Sequence, residues 1–381
     1  MADDFSSSSH PLLPPTSEDE RVSWLRLLRS RRVGIATFYR LLSEYGSAEA
    51  ALCALPDIAK NAGVEKYRTH AARDALFELK RGKDLGATLL CRGDKNFPKP
   101  LEALDDCPPM LWCEGNLDLL HGTKIALVGA RNASSLGTRM ARAMSSALGE
   151  KGVVVVSGLA RGIDAAAHHA ALETGTIAIL AGGIDIAYPA ENAALFTQME
   201  TKGVLITEQP ITQQPLARHF PARNRLISGI SKALVVIEAA GKSGSLITAR
   251  FALDQGRDVF AVPGHPFDAR GSGCNSLIRD GAILVRSAED VLNALGVEQN
   301  SVQKDLFTHS EPQNRTLSET AKLHSEILRR LGPSPMSEDQ LIRDISGNAA
   351  QTSAVVVELE LEGKVLRQPG GLLSKIGRAH V

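Results

Sequence analysis

Seven short apolar runs mark the middle of the chain: Ile125–Val128, Val153–Val156, Ile177–Leu180, Val204–Ile206, Leu234–Ile237, Val259–Val262 and Ile283–Val285. Runs of this kind are what strands buried on both faces of a parallel sheet show. Helix-like segments of roughly ten residues separate most of them, which is the alternation of a largely parallel sheet with right-handed crossovers. The expected fold is therefore α/β: an extended Rossmann-like, doubly wound, mostly parallel sheet.

The first of these units, KIALVGARNASSLG from Lys124 to Gly137, reads as strand, glycine turn and helix, an arrangement in which phosphates meet helix N-termini. A dinucleotide site asks for G-x-G-x-x-G, yet Gly129 is followed by Ala130 and Arg131. The guanidinium stands where a second glycine would admit a pyrophosphate. The next strand ends in Ser157-Gly158 rather than in the acid that holds a ribose. The frame is turned to a polyanion and away from NAD.

Around this core the 381 residues leave room for two or three domains. Residues 1–20 are Ser/Pro-rich with an acidic cluster and are expected as a disordered tail; they lack the basic-then-apolar order of a signal peptide. Residues 21–84 read as a small helical domain of SAM or helix-hairpin-helix type, its amphipathic pieces broken by Gly34, Gly46, Pro56 and Gly63. Residues 85–297 hold the Rossmann-like domain, entered through a possible strand at ATLLC and proline-punctuated extended chain. A polar linker over 298–316 leads to residues 317–381, three short helices and a glycine-turned hairpin, the outline of a winged helix. Its third helical segment offers Gln351, Thr352, Ser353, Glu358, Glu360 and Glu362 where a duplex reader would carry Arg, Lys or Asn, which points to a protein-contact or regulatory module.

Five cysteines without a C-x-x-C pair argue against a disulfide framework and a structural zinc site. No long uncharged apolar run suggests a membrane span, so a cytoplasmic protein is expected. Formal net charge is zero, and any attraction to nucleic acid must be local. Three acid-free stretches at strand ends supply it: Thr123–Gly149 with Lys124, Arg131, Arg139 and Arg142; Gln209–Ile237 with Arg218, His219, Arg223, Arg225 and Lys232; and Ala239–Leu253 with Lys242 and Arg250. Ligands of open α/β sheets gather outside the carboxyl ends of the strands. Some of these arginines are expected to pair with Glu208, Glu238 or Asp254, with Arg225 or Arg250 the first candidates. Residues 21–40 hold six arginines and no acid, read as a solvated helical face with a nucleic-acid contact as the alternative.

GKSGSLITAR, Gly241 to Arg250, lacks the leading glycine of a Walker A loop because position 236 is Val236. Its glycines and serines still expose backbone amides to an anion, or supply a plain cap at Ser243 or Ser245. In SGLARGIDAAAHHAAL, Asp164 and His168 share a helix face without completing a metal site, and Asp164 is read as a helix cap. No acid–base pair or activated nucleophile is evident.

VGAR at 128–131, SGLARGIDAAAH at 157–168, YPAEN at 188–192, FPARNRLISGIS at 220–231, SGSLITA at 243–249, VPG at 262–264 and GCNSLIRDGA at 273–282 closely resemble the DNA-processing protein A family, DprA, also called Smf. The resemblance spans roughly residues 85–296. It implies a sequence-tolerant single-stranded DNA-binding protein of natural transformation, with no catalytic, cofactor or metal site, that protects incoming strands, loads the recombinase RecA and forms homodimers. By motif the DNA pocket would comprise Gly129, Arg131, Phe220, Arg223, Asn224, Arg225, Lys242, Ser243, Gly244 and Ser245. Ala130, where the family commonly has Ser, and Leu136, where an aromatic is frequent, depart from its pattern. The alternative is a nucleotide-processing enzyme of a related Rossmann-like phosphoribohydrolase type, whose P-G-G-x-G-T motif fails here because Gly182-Gly183 runs into Ile184-Asp185.

Overall fold

The computed structural model describes residues 14–296, 317–331, 335–345, 349–368 and 372–376. Residues 1–13 of the expected tail, the 298–316 linker and the hairpin turn at 369–371 lie outside the described residues. The chain forms two compact units, Met1–Gln299 and Asn300–Val381.

The first unit is built on nine strands: β1 (Thr88–Cys91), β2 (Met110–Gly115), β3 (Lys124–Gly129), β4 (Val154–Ser157), β5 (Thr176–Ile179), β6 (Val204–Thr207), β7 (Ala233–Glu238), β8 (Asp258–Ala261) and β9 (Ile283–Leu284). They are ordered β1-β2-β6-β5-β4-β3-β7-β8-β9. From β6 to β9 every pairing is parallel; β2 runs antiparallel to both β1 and β6. All seven apolar runs are strands of this sheet. On β3, Ile125 and Leu127 pack with Met144 and Leu148 of the helix Ser135–Glu150, while Ala126 and Val128 pack with Leu226 and Ile230 of the helix His219–Ile230. Both faces are dry, and so the strand carries no polar alternation.

The stretch read as extended chain before β3 holds one more strand than expected. Pro108 and Pro109 sit ahead of β2, where they cost no ladder bond, and Met110 and Trp112 are buried beside a helical cluster. That cluster is α1 (Glu18–Arg29), α2 (Ile35–Tyr45), α3 (Ala48–Asn61) and α4 (Ala72–Asp84). Helix α1 begins inside the stretch expected as tail because Ser17 and Glu20 close a capping box. Pro56 does not break α3: the helix continues through it, with Leu52, Leu55 and Ala59 buried on either side. The cluster is bolted to the sheet by polar contacts as well as by its core. Arg29 holds Glu78 at 3.0 Å, Glu78 accepts from the Trp112 indole at 3.0 Å, and Arg29 donates to the Glu208 carbonyl beyond β6 at 3.3 Å.

The second unit is a winged helix. Helices Leu317–Arg330, Glu338–Asp344 and Ala349–Leu361 surround a three-stranded sheet, β10 (Met336–Ser337), β11 (Val365–Gln368) and β12 (Leu372–Lys375) in the order β10-β12-β11. Ile327, Leu341, Val356, Leu359 and Leu373 form its core. The third helix contains no Lys or Arg, and its Glu358 and Glu360 are matched within the unit by His324 and Arg367. Among the described residues no helix is long and apolar enough to cross a membrane.

Candidate nucleic-acid interface

Strand order reverses at β3, which has β4 on one side and β7 on the other. Such a switch point opens a crevice at the carboxyl ends of the strands. The loop leaving β3 is pressed into that opening. A side chain on Gly129 would come within 2.5 Å of Ile163, and one on Gly162 within 2.2 Å of the Ala130 carbonyl, which accepts from the Ile163 amide. Arg131 is thereby turned outward. It is exposed, makes no ion pair with any described carboxylate, and lies with its guanidinium 5.3 Å from the centre of the Phe220 ring. Phe220 in turn meets Tyr188, ring centres 5.6 Å apart.

Two helices could offer amides to an anion here, and the structure separates them. The helix Ser135–Glu150 is already served: Ser134 caps the Gly137 amide at 2.9 Å, and Glu238 at the end of β7 takes the Ser134 amide at 2.8 Å. A carboxylate of the protein occupies that N-terminus, which corrects the expectation of a phosphate there. The helix Gly244–Asp254 has no acidic residue in its first turn. Ser243 caps the Ser245 amide, and the Ser245 hydroxyl donates to the Gly129 carbonyl at 2.8 Å, tying the turn to β3. Lys242 and Gly244 are exposed beside it, and the space over the Gly244 Cα is open.

Gly129, Arg131, Phe220, Asn224 and Lys242 through Ser245 line one crevice of about 540 Å³, joined by Asn132 and Arg270. The stacked Arg131 and Phe220 divide it from a smaller hollow containing Gly158, Arg161 and Tyr188. Tyr188 and Arg161 were not among the expected site residues, although YPAEN and the arginine of SGLARG stood in the motif blocks. Arg270, also missed, is fastened to Asp268 at 3.1 Å in the loop after β8.

Arg225 is not brought to the crevice. It is buried on the other side of its helix, held by Glu208 and, at 3.3 Å, by Asp106. Arg223 reaches the crevice wall but is held inside the fold, one guanidinium nitrogen donating to the Ile179 carbonyl at the end of β5 and the Gly158 carbonyl just past β4, and Nε to the Asn224 Oδ1. Burial lowers its pKa to about 10, still protonated at neutral pH. Lys124 and Lys232 also drop out. Lys124 opens β3 and Lys232 precedes β7, both at the amino ends of the strands, where Lys124 is buried on the Leu120 and Gly122 carbonyls and Lys232 donates to that of Leu295.

Asp164 and His168 are structural, as expected, though in a different manner. Gly162 is the cap of their helix, and Asp164 instead accepts from the Gly158 and Ala160 amides at 3.1 and 3.4 Å. His168 accepts from the Leu159 amide through Nε2 and contacts Thr176 Oγ1 at 2.7 Å through Nδ1. Since Thr176 donates to the Val155 carbonyl, the ring is neutral with its proton on Nδ1. Burial, with His169 and Arg223 nearby, lowers its pKa to about 3. Below about pH 6.5 the unfolded chain binds a proton that the folded ring refuses, so stability falls with pH over that window. About 2 kcal/mol should be lost between roughly pH 6.5 and pH 5. Denaturant melts of the native protein and of His168→Gln check this: the variant's profile should be flatter, and an equal slope would assign the loss to other groups.

A family model for DNA recombination-mediator protein A matches residues 88–296, and models for a DprA-like N-terminal HHH domain and a DprA winged helix domain match 18–80 and 311–371. The chain belongs to the DprA/Smf family. Protein Smf of Escherichia coli (strain K12) is 38% identical to this DprA/Smf chain over 292 residues, covering 75% of this chain and 76% of that one. DNA processing protein DprA of Streptococcus pneumoniae is 45% identical over 201 residues, 52% of this chain and 71% of that one. The X-ray structure of the Streptococcus pneumoniae DprA superposes with a TM-score of 0.57 at 36% identity, covering 69% of this chain and 98% of that one. A structure of DNA processing protein A from Helicobacter pylori, described for its single-stranded DNA binding mode, gives a TM-score of 0.51 at 29% identity over 55% of this chain and 95% of that one.

Proposed function

We propose that the chain binds single-stranded DNA without sequence preference in the crevice at the β3–β7 switch point, shields it, and passes it to RecA. The observation that carries the binding is Arg131: an unpaired guanidinium stacked on Phe220, opposite Lys242 and the open turn Ser243–Ser245. Cations and backbone amides follow phosphates, while an aromatic stacks a base of any identity. Shielding and RecA loading rest on the family resemblance and concern the same occupied crevice. Affinity for oligothymidylate should fall linearly with the logarithm of salt concentration, with a slope near −0.7 per phosphate neutralised. Affinity that does not change with salt would remove the basis of this reading.

A homodimer is part of the proposal. Strand β9 ends the sheet, is bonded on one side only, and leaves Ile283 and Leu284 48% and 44% exposed. Apolar residues on an open edge favour pairing with a second chain. Sedimentation at micromolar concentration should give a species of about twice 40.7 kDa. A single species at the monomer mass counts against it.

A further inference from the structure

Five of the six arginines of residues 21–40, those in α1 and the turn after it, divide sharply once the fold is known. Arg21 is held by Asp94 at 2.8 Å, Arg26 donates to the His70 carbonyl at 3.1 Å, and Arg29 is held by Glu78. Arg31 and Arg32, in the turn between α1 and α2, are exposed and make no ion pair with a described residue. A second basic segment lies against that turn. The Tyr67 hydroxyl donates to the Arg31 carbonyl at 2.6 Å and the His70 amide to the Ser30 hydroxyl at 3.0 Å, which sets exposed, unpaired Lys66 and Arg68 beside Arg31 and Arg32. Residues 30–34 and 66–70 contain no Asp or Glu.

Two of these four residues, with Leu159 and Thr212 elsewhere, have a left-handed backbone. Arg32 has φ +63° and Lys66 φ +55°, the left-handed region that glycine adopts without cost. Cationic side chains therefore stand at two turn tips where the local backbone favours glycine. Outliers of this kind cluster at ligand-binding sites.

Placement gives the patch its partner. Arg21, near the start of α1, reaches the Leu89 carbonyl of β1 and Asp94 just beyond it, and Arg29, in its last turn, reaches the Glu208 carbonyl beyond β6. Helix α1 thus crosses the carboxyl edge of the sheet from β1 to β6 and carries the Arg31–Arg32 turn toward the crevice. Three strand spacings separate β6 from β3, roughly 14 Å at about 4.8 Å each. The hollow with Tyr188 and Arg161 opens from the ends of β4 and β5, between the two.

We propose that Arg31, Arg32, Lys66 and Arg68 form a second phosphate-binding station, and that a single strand seated in the crevice continues along the carboxyl edge of the sheet to reach it. The inference rests on the crevice reading and extends the bound strand beyond it. Arg161, on the path between the two, is tied to Glu191 at 3.5 Å, so the unpaired cations stand at the two ends of the edge, where a backbone-tracking strand would be held.

The test compares an oligothymidylate of about three nucleotides, enough for the crevice, with one of about twenty. In the full chain, the double variant Arg31→Ala, Arg32→Gly should bind the long strand about fivefold to tenfold more weakly. Its salt slope should be shallower by about 1.4, two phosphates' worth, and its short-strand affinity should be unchanged. The glycine relieves the left-handed residue, so the melting temperature should hold or rise while binding falls. Arg131→Ala is the control and should weaken both lengths. If the double variant leaves long-strand affinity and slope intact while Arg131→Ala lowers both, the strand does not reach the station and the inference fails with the crevice reading standing; an acidic protein partner would then suit the patch better. Equal weakening of both lengths also overturns it, since that is a general charge effect. If Arg131→Ala changes neither length, the crevice reading fails and this one with it.

Discussion

Arg131→Ala should weaken single-strand binding at least tenfold, make the salt slope shallower by about 0.7, and leave the melting temperature where it was. Arg131 is exposed, and the contacts that form the loop beneath it are made by Gly129, Ala130 and Ser134, so the fold does not depend on its side chain. What it offers is a flat fork of donors held over Phe220, matched to two oxygens of one phosphate. A charge-assisted contact of that type is worth about 1.5–3 kcal/mol, which sets the expected loss. Lysine at this position should restore only part of the affinity, since a point charge neither stacks nor binds two oxygens in one plane. Fluorescence titration and a thermal melt on the same variant provide the check. A destabilised protein with unchanged affinity and slope would mean that Arg131 is a structural tie and that the strand lies elsewhere.

Arg223→Met should act through the fold instead, with a loss of stability of roughly 3–5 kcal/mol. The guanidinium is buried where a side chain on Gly158 would fall 2.4 Å away, and it bonds the carbonyls at the end of β5 and just past β4. Without it those carbonyls lose a donor, and the buried Asp164 carboxyl, whose pKa burial already raises, loses the cation that counters this. In a unit of this size the melting temperature should drop by about 10 °C. Single-strand affinity should fall as well, because Gly158 and the β4 end form the floor under Arg131 and Phe220, but the salt slope of the folded fraction should stay near the native value. A stable variant with a shallower slope would make Arg223 a phosphate ligand instead. Denaturant melts beside salt titrations distinguish the two.

These two arginines illustrate what a sequence discloses and what it withholds. The sheet was legible because burial on both faces leaves uninterrupted apolar runs, and Ile125 to Val128 is one of them. The location of the proposed site follows from topology, since ligands gather at the carboxyl ends around a switch point. The pairing of Arg225 with Glu208 was foreseeable from the acid that follows β6, but the rest of the division of cations into free and engaged was not legible, because the partners come from remote parts of the chain. Glu208 and Asp106 take Arg225, while Glu238 takes the amide of Ser134 and closes the helix N-terminus that seemed open. Part of the answer did lie in helical periodicity. Phe220 and Asn224 are one turn and a fraction apart and share the crevice face, whereas Arg225 is rotated about 140° from Phe220 and meets the opposite side. Lys124 was misread for a simpler reason. A basic residue just ahead of an apolar run belongs to the strand's amino end, away from any carboxyl-end site. Strand β2 is hidden in the sequence because Pro108 and Pro109 mark unpaired extended chain, although four buried residues follow them.

Competition tests whether the crevice takes single-stranded DNA for its backbone and its unpaired bases. A labelled oligothymidylate bound to the full chain is challenged with unlabelled single strand and with duplex of equal length at one fixed salt concentration. Displacement is expected by single strands of any sequence at comparable concentrations, and by duplex only at far higher ones, because stacking on Phe220 needs a base free of its partner. Equal displacement by duplex, or no binding of the labelled strand at all, would contradict it.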